Sequence, residues 1–170
     1  MLEVAAGTGE HAATFASRLP HLTWQPSDPD PAALASIAAW REVSGAENLL
    51  PPLVLDASDP GSWPVMSVDA IVCINMVHIS PWAATEGLMT GAASRLPPGG
   101  LLFLYGPYLE DDVPTAASNL DFDASLKARN PDWGLRKLEA VRTLAADRGL
   151  HLLERIAMPA NNLSLVFRRR

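Results

Sequence analysis

The chain alternates short apolar runs with longer segments whose apolar residues recur at helical spacing. The first run, residues 2–5, leads into a glycine-containing turn, and residues 10–19 then carry the helical spacing. Residues 22–25 form a second strand-like run, which ends in a segment rich in proline and aspartate. These segments predict the order strand, glycine turn, helix, strand.

A second helix has sequence signals at both of its ends. Asp30 is a good N-cap, Pro31 suits the first helical turn, and Gly45 is a typical residue just past a helix end. We therefore predict a helix from Pro31 to about Ser44.

The middle of the chain continues the same alternation. Residues 53–55 and 69–74 predict two further strands, the second of which is almost entirely apolar, as in strands buried on both faces. Residues 59–64 between them are turn-like, a helix is predicted over 82–96, and residues 101–105 predict a fifth strand. Such alternation indicates a parallel sheet with helices on both faces.

The pattern changes after Gly106. Residues 107–133 are polar, contain several acids and aromatics, and show no clean period, which predicts an active-site insertion. Residues 135–148 regain helical spacing, and the strand-like runs 150–158 and 163–168 flank four turn-forming residues. We expect these two runs to form an antiparallel hairpin at the sheet edge.

Length and composition fit one domain over residues 1–170, because 170 residues with 48% hydrophobic content can bury a substantial core. No apolar run reaches the roughly 18 residues that a membrane-spanning helix needs, and the N-terminus lacks the layout of a signal peptide. We therefore expect a cytoplasmic protein that does not contact membranes.

Charge and cysteine content narrow the possible ligands. The net charge of −6 argues against a broad nucleic-acid surface and favours a small-molecule substrate. The single cysteine, Cys73, lies in an apolar run and is expected in the core, so no disulfide framework is available. No residue cluster has the spacing of a zinc or iron site, and nothing specifies the oligomeric state.

Gly7-Thr8-Gly9 lies between a strand and a helix, where small residues and free N–H groups let a backbone approach a ligand. This geometry is typical of a cofactor loop. It also fits the dinucleotide pattern, with Ala12 in the third small position and Asp28 as the ribose acid. An NAD-dependent oxidoreductase is therefore an alternative to an S-adenosylmethionine (SAM) protein.

Three features favour SAM. Glu3 lies on the first strand, where a dinucleotide site usually has an apolar residue, and a buried acid needs donors such as a ligand ammonium or a loop amide. Asp28 and Asp56 follow the second and third strands, at the edge where open α/β sheets bind ligands, although either could instead cap the next turn or helix. The C-terminal hairpin supplies the antiparallel strand of class I SAM-dependent methyltransferases.

Four segments, 3–11 (EVAAGTGEH), 22–28 (LTWQPSD), 75–82 (NMVHISPW) and 130–136 (NPDWGLR), resemble the methyltransferase-like family of unknown function 938, which includes methyltransferase-like protein 26 relatives. The resemblance spans almost the whole chain. It implies a Rossmann-like class I methyltransferase fold and SAM as cofactor, without specifying an acceptor. The expected cofactor-facing residues are Glu3, Ala5, Gly7, Thr8, Gly9, Asp28, Asp56, Ala57, Asn75 and Met76.

Members of the resembled family carry a helix and an arm before the glycine loop, whereas Met1 here is followed at once by the first strand. Because that arm closes over the cofactor, we expect an open cleft and weakened cofactor binding in this chain.

For catalysis, His78 is the preferred general base, since an unperturbed histidine titrates near neutrality, although it could instead cap the following helix. Tyr108 is a second catalytic candidate, and it and Tyr105, on either side of Gly106-Pro107 at the end of the fifth strand, could line the acceptor pocket. The insertion offers Asn119, Asp121, Phe122 and Trp133 as further acceptor-pocket residues. The preferred function is a SAM-dependent methyltransferase with a small-molecule acceptor; the alternatives are the oxidoreductase and a non-catalytic SAM-fold binding module.

Overall fold

A computed structural model describes residues 1–64 and 66–170 of the chain. Within these ranges the strands are β1 (Leu2–Val4), β2 (Gln25–Asp28), β3 (Leu53–Val54), β4 (Ala70–Ile74), β5 (Leu101–Gly106), β6 (Tyr108–Leu109), β7 (Arg136–Lys137), β8 (Leu150–Met158) and β9 (Asn162–Arg169). The helices are α1 (Glu10–Arg18), α2 (Pro31–Ser44), α3 (Trp82–Arg95), α4 (Ala117–Arg129) and α5 (Leu138–Asp147). None of these helices combines the length and the apolar character needed to cross a membrane.

Seven strands form one sheet in the order β3-β2-β1-β4-β5-β9-β8. The strands from β3 to β5 in this order are parallel, whereas β9 runs antiparallel to both β5 and β8. β6 and β7 form a separate parallel pair. The predicted α/β architecture, a mostly parallel sheet with an antiparallel C-terminal hairpin, is confirmed.

Each face of the sheet packs against its own helices, because successive strand residues point to opposite faces. Ile71 and Cys73 of β4 join the larger apolar cluster, which contains buried residues of α3 and α5. Val72 between them joins a second cluster, with α1 and Trp24. Cys73 is therefore a core residue, as predicted, and helices cover both faces.

Several predicted boundaries are confirmed. α2 spans Pro31–Ser44, with the Asp30 side chain accepting a 2.9 Å hydrogen bond from the Ala32 N–H and Gly45 in a left-handed conformation. The third, fourth and fifth predicted strands and the C-terminal hairpin are also present. At these places, the residues at helix ends and turns were sufficient to predict where the elements begin and end.

Three predictions need correction. The second strand is not residues 22–25 but Gln25–Asp28, because Gln25 and Pro26 pair with Leu2 and Glu3 of β1. The segment 107–133 contains α4, which the sequence pattern does not predict because few of its residues are buried. The helix predicted over 135–148 begins only at Leu138, since the two residues before it pair with β6.

Candidate functional site

Two clefts open where the parallel strands end, on the side of the sheet at which open α/β proteins bind ligands. The glycine-loop cleft, about 530 Å³, is lined by Val4, Ala5, Gly7, Asp28, Pro29, Leu55, Asp56, Ala57, Ser58, Met76 and residues of the loop before α3. The α4 cleft, about 920 Å³, is lined by residues of α1, β4, β5, α4 and the hairpin tip. Ile74 and Ile79 line both clefts, so the two adjoin there.

The glycine loop is shaped by three residues in the left-handed region, Ala5, Gly7 and Gly9, with φ of 57°, 58° and 85°. A Cβ at Gly9 would lie 2.7 Å from Cα of Ile37, so this glycine allows α1 and α2 to pack closely. A Cβ at Gly7 would meet no atom within 4 Å, because this residue faces the open cleft. Gly9 is thus required by packing, and Gly7 by backbone conformation and by the cleft.

Thr8 is exposed at the turn of this loop, and its carbonyl oxygen accepts a 2.8 Å hydrogen bond from the Ser36 hydroxyl. It is not among the described residues that line the glycine-loop cleft. Its observed contact fastens the loop to α2.

Asp28 ends β2 and lies in the cleft with a largely buried side chain. Its Oδ2 accepts a 2.9 Å hydrogen bond from the Gly7 N–H, and its Oδ1 accepts one of 3.0 Å from the Asp30 N–H. An ionised carboxylate has about four acceptor positions, so further donors, such as sugar hydroxyls, can be accommodated. The structure places Asp28 where a cofactor contact was predicted.

Asp56 and Ala57 follow β3 and line the same cleft. Oδ1 of Asp56 accepts hydrogen bonds from both the N–H and the hydroxyl of Ser58, so the side chain caps its own turn. Among the described residues, Oδ2 receives no hydrogen bond, and Asp56 is exposed. One carboxylate oxygen therefore shapes the loop while the other can accept from a ligand.

The loop that carries Asp56 rests directly on α3. A Cβ at Gly87 would lie 1.9 Å from the carbonyl oxygen of Ala57, and one at Gly91 would lie 2.2 Å from the Trp63 ring. Both glycines occupy the same side of the helix, four residues apart, so the loop can approach the helix backbone. This contact sets the depth of the glycine-loop cleft at its β3 side.

Glu3 corrects one expectation. Its carboxylate is buried, and Oε2 accepts a 2.6 Å hydrogen bond from the Trp24 indole N–H, a side-chain donor where a loop amide was expected. Glu3 is not among the described residues that line the glycine-loop cleft. Burial raises the pKa of Glu3 to about 7, against the lowering effect of the Trp24 hydrogen bond.

Asn75 and Met76 follow β4 and face different clefts. Asn75 adopts a left-handed conformation with φ of 61°, and its N–H donates a 2.8 Å hydrogen bond to the carbonyl oxygen of Tyr105. Asn75 lines the α4 cleft, whereas the buried Met76 lines the glycine-loop cleft. The turn at Asn75 thus places consecutive side chains on either side of the boundary between the clefts.

His78 lies in the α4 cleft with a buried imidazole. Phe122 of α4 packs against it edge to face, with 5.6 Å between ring centroids. Burial, and secondarily the positive charge of Arg136, lowers the pKa of His78 to about 4. The imidazole is therefore neutral near pH 7, with one ring nitrogen able to accept a hydrogen bond. It does not titrate near neutrality, as the choice of His78 for a general base assumed, and is a weaker base than an ordinary histidine.

Arg136 is held away from the cleft. Its guanidinium donates to the backbone carbonyl oxygens of Val77, Ser80 and Asp132, at 3.2, 2.8 and 2.7 Å. It also lies over the Trp82 ring, 5.8 Å from the centroid. These contacts join the loop that carries His78 to the segment between α4 and β7.

Tyr108 lies elsewhere than its predicted role requires. Its side chain is part of the larger apolar core, and its hydroxyl is buried without a hydrogen-bond partner among the described residues. Burial raises the pKa of this hydroxyl far above its ordinary value. Tyr108 is not among the described residues lining either large cleft, so the geometry does not bring it together with His78.

Only some of the other predicted acceptor-pocket residues line the α4 cleft. Tyr105, Asn119 and Phe122 line the α4 cleft, whereas Asp121 and Trp133 are not among its described lining residues. Sequence reasoning missed the contribution of the hairpin tip, from Met158, Ala160, Asn161 and Asn162. The turn itself was predicted, but only the tertiary fold shows that it reaches over the cleft.

Comparison with known proteins assigns the chain to a family. The sequence model of a family described as a protein of unknown function, DUF938, matches residues 1–169. The chain belongs to the DUF938 family.

This DUF938 chain is similar to solved methyltransferase structures. It aligns over 99% of its length with an O-methyltransferase family protein from Burkholderia thailandensis (TM-score 0.86, 19% identity, 50% of that chain). It also resembles an O-methyltransferase family 2 protein from Planctomyces limnophilus in complex with apigenin (TM-score 0.82, 23% identity, 99% of this chain and 50% of that chain). A third is human N-acetylserotonin methyltransferase in complex with SAM (TM-score 0.80, 14% identity, 99% of this chain and 47% of that chain).

At these identities the likeness establishes the fold. The DUF938 chain has the Rossmann-like fold of class I methyltransferases, including the antiparallel strand β9 between β5 and β8. It spans about half the length of these solved structures.

Proposed function

We propose that this chain is a SAM-dependent methyltransferase that transfers a methyl group to a small-molecule acceptor. The observation that carries the proposal is the adjoining of two clefts at Ile74 and Ile79. One cleft has the glycine loop and two carboxylates, and the other has the neutral imidazole of His78. A donor and an acceptor can therefore occupy neighbouring sites.

The residues of the glycine-loop cleft fit SAM. The space beside Gly7 contains no protein atom within 4 Å of a built Cβ, which leaves room for a ligand against the backbone. Asp28 would accept hydrogen bonds from the ribose hydroxyls, and Oδ2 of Asp56 would accept one from the adenine amino group. Met76, Leu55 and Ala84 supply the apolar surface on which a flat base can pack.

When bound, SAM supplies an electrophilic methyl group on a sulfonium. The chain's own contribution is to bind an acceptor and to orient it. Ile74 and Ile79 provide apolar surface between the two sites, and a fixed acceptor geometry supplies much of the rate acceleration for such a displacement. The neutral imidazole of His78 would accept a hydrogen bond from the acceptor hydroxyl and so orient it, because its pKa of about 4 makes it a weak base for removing the proton.

We also propose a kinship with methyltransferase-like protein 26, on the motifs quoted above, and a cytoplasmic location, on the sequence pattern of the described N-terminus and apolar runs. The net charge of −6 supports a small acceptor over a nucleic acid.

Calorimetry with the demethylated cofactor S-adenosylhomocysteine (SAH), and separately with NAD, tests the cofactor assignment. We expect saturable binding of SAH and none of NAD; binding of NAD alone would make the chain a dinucleotide protein. Transfer of tritium from methyl-labelled SAM to a small-molecule library then distinguishes an enzyme from a binding module. Tight SAH binding without transfer to any class of acceptor would favour the binding module.

A further inference from the structure

We propose that the α4 cleft selects an uncharged aromatic acceptor that carries a hydroxyl group. This inference rests on the methyltransferase proposal, because it names the substrate class of the same site. It is drawn from three properties of the cleft: the charge of its lining, its aromatic walls, and the state of its asparagine side chains.

The lining carries little charge. None of the described residues that line the α4 cleft is an aspartate, glutamate, lysine or arginine. The lining histidines are His11 and His78. His78 is neutral near pH 7, because its pKa is lowered to about 4, and Arg136 is not a lining residue and directs its guanidinium to backbone carbonyl oxygens. A ligand carboxylate, phosphate or ammonium would lose hydration beside the apolar walls without a described aspartate, glutamate, lysine or arginine in the lining to pair with, which is costly. An uncharged ligand avoids this cost.

The walls are aromatic. Phe15 of α1, Phe103 and Tyr105 of β5, and Phe122 of α4 approach the cleft from different elements. Aromatic rings pair favourably with other rings in edge-to-face or offset geometry, beyond the effect of buried area alone. Met158 adds a polarisable sulfur, which also favours contacts with rings. A planar ring fits these surfaces better than an aliphatic chain of similar size.

The asparagine side chains favour a hydroxyl donor. Nδ2 of Asn119 donates to the carbonyl oxygen of Asn161 at 3.2 Å, and Nδ2 of Asn162 donates to that of Pro159 at 3.2 Å. Asn119 is nine-tenths buried, and no hydrogen bond to its Oδ1 is found in the described part of the chain. These bonds fix the orientation of both amides and leave Oδ1 of Asn119 able to accept. This oxygen would accept a hydrogen bond from a hydroxyl and would repel the oxygens of a carboxylate.

A set of bicyclic probes with one variable property each tests the selectivity. These are 2-naphthol, its anionic analogue 6-hydroxy-2-naphthoate, and its saturated analogue decahydro-2-naphthol, each titrated at neutral pH with SAH saturating. We expect 2-naphthol to bind about tenfold more tightly than either analogue, which corresponds to about 1.4 kcal/mol. The anionic analogue loses this free energy through desolvation of its charge, and the saturated analogue loses it through missing ring contacts. Equal or tighter binding of either analogue, or no binding of 2-naphthol, would overturn the proposal.

Two variants identify the cleft as the place of selection. Phe122→Leu removes the ring that packs on His78 but keeps apolar volume, so 2-naphthol should bind about fivefold more weakly with SAH binding unchanged. The control is Leu120→Ala, at an exposed position of the same helix. Met158→Lys places a cation at the partly exposed rim, and should raise the affinity for 6-hydroxy-2-naphthoate about threefold. No gain in this variant would place the probes outside the α4 cleft.

A separate measurement distinguishes failure of the cofactor assignment from failure of the proposed acceptor selectivity. SAH binding is measured first by calorimetry, without any acceptor. If SAH does not bind, the methyltransferase proposal fails, and the three probes are titrated against the chain alone. Their order of affinity then still decides whether the cleft selects uncharged aromatic molecules.

Discussion

The N–H of Gly7 donates a 2.9 Å hydrogen bond to Oδ2 of Asp28, which joins the glycine loop to the end of β2. The carboxylate thereby fixes the loop and faces the cleft with its remaining acceptor positions. Because its other oxygen accepts from the Asp30 N–H, Asp28 also fixes the start of the segment that leads into α2.

Asp28→Ala should weaken SAH binding by tenfold or more. The loop loses its anchor, and the ligand loses a hydrogen-bond acceptor that contributes about 1.4 kcal/mol of binding free energy. Calorimetry measures the dissociation constant. Asp30→Ala is the matched control, because it removes an exposed helix cap, which costs about 1 kcal/mol of stability, and leaves the cleft unchanged. A dissociation constant unchanged by Asp28→Ala would refute the role assigned to Asp28.

Glu3→Gln should increase stability above neutral pH. The folded-state pKa of Glu3 is raised to about 7 from 4.5, so the folded chain binds more protons than the unfolded chain between these values, and stability falls as pH rises through them. Glutamine keeps an acceptor for the Trp24 indole and removes the buried charge, so we expect a gain of roughly 1–3 kcal/mol at alkaline pH.

Urea unfolding on both sides of this pH window measures the effect of Glu3→Gln. Glu10→Gln, at an exposed position at the start of α1, is the control and should leave the pH profile unchanged. SAH affinity should also be unchanged, because the Glu3 side chain contacts Trp24. A large loss of SAH affinity without a change in the pH profile would return Glu3 to the cofactor site.

The imidazole of His78 should remain neutral well below the ordinary histidine range. Its pKa is lowered to about 4, first by burial and then by Arg136. In a carbon-detected NMR titration, the ring resonance that disappears in His78→Gln should shift only near that value. Arg136→Gln should raise the midpoint, because it removes the positive charge. A midpoint near 6.5 in the unsubstituted chain would contradict the buried geometry.

Gly87→Ala should destabilise the chain, although alanine is ordinarily better than glycine inside a helix by about 1 kcal/mol. The new Cβ would lie 1.9 Å from the carbonyl oxygen of Ala57, so the loop that carries Asp56 must move. We expect a loss of about 1–3 kcal/mol in thermal or urea unfolding, with weaker SAH binding. Glu86→Ala, at the neighbouring exposed position, should leave both unchanged. Equal stability of Gly87→Ala and the unsubstituted chain would show that the loop moves freely.

Local signals were sufficient for the scaffold. The bounds of α2 followed from Asp30, Pro31 and Gly45, whose conformational preferences do not depend on the rest of the chain. Pro26 misled the prediction of β2, because proline usually interrupts a strand, whereas here it pairs with Glu3 inside the parallel sheet.

The presence of α4 and the directions of several site side chains depend on tertiary packing, so the sequence pattern did not predict them. α4 buries few of its residues, so it has little apolar periodicity to predict it. Glu3 and Tyr108 were chosen for their positions along the chain, but the direction of a side chain from a strand determines whether it reaches a cleft. Asp28, Asp56 and His78 follow directly after strands at the ligand-binding edge, and the structure places all three in a cleft.

Ile74 and Ile79 line both clefts, so ligands in the two sites can contact the same two side chains. A ligand that repositions either side chain also changes the shape of the other cleft. If the first ligand changes the affinity for the second by some factor, the second changes the affinity for the first by the same factor. Substitutions at these two isoleucines would therefore appear as changed cooperativity between donor and acceptor. Substitutions deep within either cleft would change one affinity alone.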